Sequence, residues 1–420
     1  MQPRKITISR QQHYGCMMCG RCCRRFYVLL SRAEKERIQA LDWKDEPDVP
    51  TDFCQENNGF LYYRRRPDGG CLFLDDKGVC RMHRRFGFEK KALTCRGYPF
   101  NIVSTFPGEV SVMVRMDCPA VLEDHGPAIT EQRADIEKLV AELHFGSGFT
   151  HTQLKGMERH AVEALCAKFQ ELLEDESFGM ADCMRAMMHL ARRAEALGGI
   201  FLSDRNTMAE VYPSLLSTIK ADVPEMTRYG LSALTRSFFR QFLSCYCRRD
   251  EELLKTGLGS RLRQTWNIAR LCLGFGNLSC FGYEFPDLPI RRARLFDRTA
   301  NEARPQTTIA EQREVWATYR RFLSVRLECL QFFGVAYYGT DIFSGLIALF
   351  LTYPIVLAFA RIWAASRGVE RIAAEDVKHA IGAMDHCHGR SPALKFKSIR
   401  SRERMLAASY SQLVFALGDN

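Results

Sequence analysis

The sequence predicts a mainly α protein in which a small α+β domain, dense in cysteine, precedes a large helical domain. Three observations lead to this. Nine of the 17 cysteines fall in the first 120 of 420 residues. Strand and turn signals are concentrated in that same stretch. Beyond about residue 130 the apolar residues recur at the three- and four-residue spacing of helices. The expected division is residues 1–125 and 126–420, with a connection near 281–309, where Pro286, Pro289 and Pro305 occur.

In the front part, Phe60–Tyr63 and Cys71–Leu74 are expected as short strands on either side of Pro67-Asp68-Gly69-Gly70, a strong turn signal. Asp75-Asp76-Lys77-Gly78 turns the chain again, bringing Cys71 and Cys80 together. A second hairpin runs from Ile102–Phe106 through Pro107-Gly108-Glu109 to Val110–Arg115 and returns Cys118 towards the others. In the helical part, Val162, Leu165, Phe169 and Leu172 share one face, as do Trp316, Tyr319, Leu323, Leu327 and Leu330. Gly198-Gly199 and Gly334 supply stops.

Ile342 to Ala360 is a run of 19 residues without a charge, which reaches the length of a membrane-spanning helix. Ser344, Gly345, Thr352, Tyr353 and Pro354 interrupt it, so a buried core helix is favoured; peripheral membrane attachment through 342–360 stays open. Met184, Met187 and Met188 read as core filling.

With 46% hydrophobic and 26% charged residues the chain is neither disordered nor polytopic. Arg4, Lys5 and Arg10 interrupt the first ten residues, leaving no apolar core for a secretory signal, so a cytoplasmic location is expected, with membrane association as the alternative above. In a reducing compartment a disulfide framework is disfavoured, and dense cysteines point to metal binding or thiol chemistry. The net charge is +10, and residues 1–120 carry 21 Lys and Arg against 14 Asp and Glu. Arg21, Arg24, Arg25, Arg81, Arg84, Arg85 and Arg96 lie close to cysteines in sequence, where cations would offset thiolate charge. A nucleic-acid face would have similar composition but would not require the cysteine spacing, so no specific nucleic acid is expected. The basic run from Lys395 to Arg402 reads as a solvated face.

The densest signal is Cys16-Met17-Met18-Cys19-Gly20-Arg21-Cys22-Cys23, a C-x2-C-x2-C-C run. Two-residue spacers let a short loop wrap one metal centre, and three cysteines so spaced begin the ferredoxin type of cluster-binding pattern, with Cys118-Pro119 in the place of its remote Cys-Pro. Cys71, Cys80 and Cys95 complete eight thiols, enough for two four-coordinate sites. Zinc and an iron–sulfur cluster both fit this count. Cys166, Cys183, Cys245, Cys247, Cys272, Cys280, Cys329 and Cys387 are expected to pack as small hydrophobes, Cys54 provisionally with them. His386-Cys387-His388 reads as a helix-end cap or surface cluster.

The ordered series C-x2-C-G-x-C-C, C-x-F-L, G-x-C-x-x-H, C-R-x-Y-P-F and C-P resembles the YkgJ-type CxxCxxCC cysteine-cluster family, a zinc- or iron-chelating domain also found in FliB-type flagellin lysine-N-methylases. The resemblance covers roughly residues 16–120. It implies a metal-binding set of Cys16, Cys19, Cys22, Cys23, Cys71, Cys80, Cys95 and Cys118. His83 stands where the family more often has an aromatic residue. The FliB-type likeness further implies a helical C-terminal part, an iron–sulfur cluster of 4Fe–4S type, and methyl transfer from S-adenosylmethionine to a protein lysine, with flagellin as the partner. The chain departs from known ways of binding that methyl donor. It has no C-x3-C-x2-C run, and Gly257-Leu258-Gly259 and Gly274-Phe275-Gly276 are isolated fragments. The other reading is a non-catalytic zinc- or iron-binding structural or interaction protein.

Overall fold

A computed structural model describes the chain except residues 1–3, 47–48, 58, 205–208, 210, 215–216, 219–229, 248–256, 281–284, 298–306 and 419–420. The expected fold class holds: small sheets and short helices at the front, helices thereafter. The strands are β1 (Lys5–Ile8), β2 (Leu29–Leu30), β3 (Cys54–Asn57), β4 (Phe60–Tyr63), β5 (Phe100–Ser104) and β6 (Glu109–Val114). Short helices α1 (Arg21–Arg25), α2 (Arg32–Gln39), α3 (Arg81–Phe86), α4 (Leu93–Gly97) and α5 (Pro119–Leu122) are interspersed with them.

β5 and β6 form the expected hairpin, turning at Phe106-Pro107-Gly108-Glu109, and β1 adds in parallel to β6. The valine-rich β6 is covered on both faces. Val110, Val112 and Val114 enter the main hydrophobic core, while Met113 packs with Val325 and Cys329. Each such valine contributes about 1.5–3 kcal/mol by leaving water. Gln331, wholly buried, donates to the Asn101 and Ser111 carbonyls and ties this sheet to the helices.

The second sheet has the order β2-β4-β3. Here the structure differs from expectation. β4 pairs with β2 and β3, and Cys71–Leu74 forms only isolated bridges, Arg65 to Cys71 and Leu74 to Cys80. The cause is local: Arg66 N–H donates to the Gly70 carbonyl at 2.7 Å and Gly69 N–H to the Arg66 carbonyl, closing a tight loop that leaves no register for a second strand. Leu74 N–H then turns back on the Cys71 carbonyl, which drives Phe73 into a small separate core with Phe53, Tyr63 and Met82.

The helical body comprises α6 (Arg133–Glu142), α7 (His151–Leu154), α8 (Arg159–Glu174), α9 (Met180–Leu197), α10 (Gly199–Leu202), α11 (Ala233–Ser244) and α12 (Leu258–Cys272). It continues with α13 (Ile309–Val315), α14 (Ala317–Glu328), α15 (Ile342–Phe350), α16 (Thr352–Ser366), α17 (Ala374–Cys387), α18 (Lys397–Ala408) and α19 (Tyr410–Leu417). Its core is continuous with the β1-β6-β5 sheet. Met184, Met187 and Met188 are buried there as expected.

The uncharged run 342–360 becomes α15 and most of α16, and the most apolar 18-residue window over Ile342–Ser366 is 94% buried inside the protein. Pro354 sits in the first turn of α16, where its missing N–H leaves no hydrogen bond unmade. Part of the expected connection, 281–284 and 298–306, lies outside the described residues. The rest is not a loose linker: Phe285, Ile290, Ala293 and Leu295 are buried, and Phe285 meets Phe359 of α16 edge to face.

Candidate metal centre

The chain approaches the site along residues 12–15, which lie against 126–128. Tyr14 N–H donates to the Pro127 carbonyl at 3.0 Å and His13 bridges Ala128. Gly126, at φ +103, is required here, because a Cβ would stand 2.4 Å from the Gly15 nitrogen. Cys16 and Cys19 follow on an exposed loop. Gly20 ends that loop in the left-handed conformation, φ +68, with the Gly78 carbonyl only 2.7 Å from where a Cβ would be. α1 then starts at once, placing Cys22 and Cys23 on its first turn with their sulfurs 4.0 Å apart.

The remaining thiols arrive from four segments. Cys71 N–H donates to the Cys23 carbonyl at 2.7 Å. Cys80 stands at the N-cap position of α3 and Cys118 at that of α5, where the first-turn amides of Met82 and His83, and of Ala120 and Val121, favour the thiolate form. Cys95 lies within α4. Seven of the eight expected cysteines, all but Cys71, line one cavity of ≈ 50 Å³. Cys71 lines an adjoining cleft of ≈ 630 Å³ that also reaches Cys22, Cys23, Cys80 and Cys95. His83 is in the cavity wall, its ring edge to face with Phe88. Among the described residues no three His, Cys, Asp or Glu side chains stand in ready coordination geometry. The sulfurs surround a space and do not yet converge on a point.

The charge balance around that space is uneven. A hydrogen bond with Cys23 lowers the Cys80 thiol to about 6, opposed by burial and helped by Lys91. The same partner lowers Cys22 to about 7, and Cys23 is pushed up as the group that keeps the proton. Burial raises Cys71 and Cys118 to about 12 and Cys95 well above the usual thiol range. Such a set has thiolates that ionise readily and buried thiols that ionise only if a cation arrives to replace their protons. Thiolate-preferring zinc or iron is such a cation, and the donor chemistry fits either. Cys16, Cys19, Cys22, Cys23, Cys71, Cys80, Cys95 and Cys118 are the thiols around that space from which its ligands could come.

Sequence reasoning missed three features. First, the arginines near the cysteines pair mostly with carboxylates: Arg81 and Arg84 with Glu46, Arg84 also with Asp75, Arg85 with Asp45, and Arg96 with Glu142. Lys91 is the cation that acts on Cys22, Cys80 and Cys95, and Arg65 acts on Cys71; burial disfavours the Lys91 charge, but Cys80, Cys95, Cys22 and Cys23 raise its pKa. Second, His386-Cys387-His388 stands at the end of α17 as expected, but it is buried and is not a surface cluster. His386 Nδ1 lies 3.1 Å from Asp117 Oδ2, and its ring packs on Phe26. Burial alone would raise the Asp117 carboxyl, yet Arg115, His386 and Arg25 hold it well below the usual carboxylate range. Third, Asp385 accepts the Met116 N–H at 2.8 Å and pairs with buried Arg326, so α17 grips the segment that ends in Cys118. Asp117–His386 and Met116–Asp385 are each 269 residues apart, and no local pattern announces them. Of the cysteines expected to pack, Cys166, Cys183, Cys245, Cys247, Cys329, Cys387 and Cys54 are buried. Cys272 is half-buried, and Cys280 is exposed, because its short 3-10 turn lies at the surface.

Comparison with known proteins bears on the same region. Residues 15–119 match the family CxxCxxCC, described as "Putative zinc- or iron-chelating domain". Over 169 residues the chain is 24% identical to "Uncharacterized protein MJ0939" of Methanocaldococcus jannaschii, a match that takes in 40% of this chain and 57% of the relative. The chain thus spans little more than half the length of that relative. No solved structure matches it. The family match supports, over residues 15–119, a zinc- or iron-chelating domain, and with it a metal cofactor.

Proposed function

We propose that the cysteine set holds iron–sulfur of the 4Fe–4S type, which draws four thiolates per cluster from the eight, and that the adjoining cleft is where a protein lysine accepts a methyl group from S-adenosylmethionine. The observation behind the catalytic part is the cleft itself. It shares Cys22, Cys23, Cys80 and Cys95 with the cysteine-lined cavity, so a bound substrate would touch the thiol shell, whereas a purely structural metal site is closed. An iron–sulfur centre supplies one-electron chemistry when bound.

The chain's own part is binding and orientation. Phe26, Tyr27 and Tyr98 line the cleft and offer apolar surface to a methylene chain, while their rings carry the guanidinium groups of Arg115 and Arg65. Glu34 lines the same cleft; burial disfavours its charge, but the amide N–H groups of Leu93 and Ser31 lower its pKa, which suits a cationic ligand. In the proposed transfer the N–C bond forms as the S–C bond breaks, and the amine proton leaves to solvent. Flagellin is the proposed substrate and the reducing cytoplasm the proposed setting.

A second reading has one observation in its favour. The front core, built on Phe53, Tyr63, Phe73 and Met82, is small and has Cys54 and Cys71 within it, so a metal would staple a domain with little apolar area of its own. Analysis of oxygen-protected protein separates the two. Iron with labile sulfide, and label transferred from S-adenosylmethionine to flagellin, are expected. Colourless protein containing only zinc and transferring no label selects the structural reading.

A further inference from the structure

α12 carries its polarity the wrong way round for a helix of a buried body. Leu258, Leu262, Trp266, Ala269 and Leu273 follow one another at spacings of four, four, three and four, which places them on a single stripe. That stripe faces out. Leu258 is 80% exposed, Leu262 67%, Trp266 65% and Leu273 72%, and Phe275, just beyond the helix, is 55% exposed. The inward side anchors the helix to the main core through Leu271 and half-buried Ile268, and the rest of it is half-buried Ser260, Gln264 and Asn267. A helix that presents leucine and tryptophan to solvent and turns glutamine and asparagine inward is arranged for a second apolar phase.

The charges around the stripe say which phase. Arg263 and Arg270, seven residues apart, run along one rim, and Arg261 lies on the other. Residues 257–283 contain no Asp or Glu. Ile290 N–H donates to the Gly276 carbonyl at 2.9 Å, which seats the 3-10 turn Ile290–Ala293 at the end of the same surface and adds exposed Arg291 and Arg292. Among the described residues these five guanidinium groups have no carboxylate partner. A second copy of the chain is a poor occupant, since a two-fold contact would set arginine rim against arginine rim with no acid between them. An apolar stripe centred on tryptophan and flanked by arginine is what an in-plane interfacial helix uses on an anionic bilayer.

We propose that α12 with Phe275, Arg291 and Arg292 is a membrane-surface anchor that binds anionic lipid. The apolar stripe enters the boundary between headgroups and acyl chains, and the arginines meet lipid phosphates. This surface is separate from 342–360, which is buried, and it does not depend on the chemistry at the cysteines.

The test is flotation of the full-length, oxygen-protected protein with phosphatidylcholine vesicles containing about one quarter phosphatidylglycerol, against pure phosphatidylcholine. Binding to the anionic vesicles is expected, with a blue shift of Trp266 emission that Trp266→Phe removes. Leu262→Glu with Trp266→Glu should abolish flotation. Arg261, Arg263 and Arg270 changed together to Gln, which leaves the stripe intact and carries the test if the first variant misfolds, should weaken it by about fivefold per arginine. Raising salt from about 0.1 to about 0.5 M should weaken it further. Equal binding to neutral vesicles, flotation that survives either variant, or a parent protein that ignores vesicles and instead forms a dimer broken by Leu262→Glu would each overturn the proposal.

Discussion

Gly20 is the residue on which the first half of the cysteine set turns. It joins the exposed Cys16–Cys19 loop to the helix bearing Cys22 and Cys23, at φ +68 and with the Gly78 carbonyl where a side chain would go. Gly20→Ala therefore has two penalties, a left-handed backbone worth about 1–2 kcal/mol and a clash with backbone oxygen. The expected outcome is a protein of near-parent helicity whose metal content per chain falls by half or more, read by elemental analysis; full metal content would show that the loop tolerates rearrangement. A second residue-scale prediction concerns Glu403. Burial raises its carboxyl to about 7 from 4.5, although Tyr337 OH donates to it at 2.5 Å. An acid whose folded pKa is raised gives stability that is fully present below the unfolded pKa and is lost as pH rises through the folded one. The unfolding free energy of the parent relative to Glu403→Gln should thus fall by about 3 kcal/mol between about pH 4.5 and about pH 8. Urea titrations of both proteins across that range would show it, and a pH-independent difference would mean that Glu403 is not buried as a neutral acid.

Among elements, α17 has a role out of proportion to its distance from the cysteines in sequence. Its Asp385 takes the Met116 N–H, its His386 faces Asp117, and Lys378 reaches Glu123 just past α5. The segment carrying Cys118 is thereby fixed from the far end of the chain. His386→Ala should destabilise the protein by about 1–3 kcal/mol, the cost of leaving buried Asp117 short of a partner, and should speed metal loss to a chelator. Lys378→Ala, at a partly exposed ion pair, should cost under about 1 kcal/mol and leave that rate unchanged. Equal release rates for His386→Ala and parent would mean that α17 does not position the site. The same contrast explains what could be read from sequence. The C-x2-C-x2-C-C run, the β5–β6 turn and the helical faces are local patterns, legible because spacing alone dictates them. The pairing of β4, the role of Lys91 and the grip of α17 depend on which segments meet after folding. The arginines misled for the same reason, since adjacency to cysteine in sequence did not reveal that Glu46, Asp75 and Glu142 would claim them.

At the scale of the whole molecule the two hydrophobic cores matter more than the order of the chain. Residues Val28 to Ala92 supply a small core of their own, whereas β1, β5, β6 and α5, also from the front of the sequence, belong to the helical core through Val112, Val114 and Val121. Metal removal should therefore act unevenly. The buried thiols Cys71 and Cys95 would take back protons, and the segments they join lose the link that offsets their small apolar area, while Val112, Gln331 and α17 keep the β5–β6 hairpin in place. In hydrogen exchange after chelation, protection should collapse between about residues 16 and 97 and persist in β6, α9, α15 and α16. The melting profile should split accordingly into an early, metal-dependent step and a later one that the chelator does not move. If chelation lowers protection equally in β6 and α16, the metal holds the entire fold together and the division into two cores has no thermodynamic counterpart.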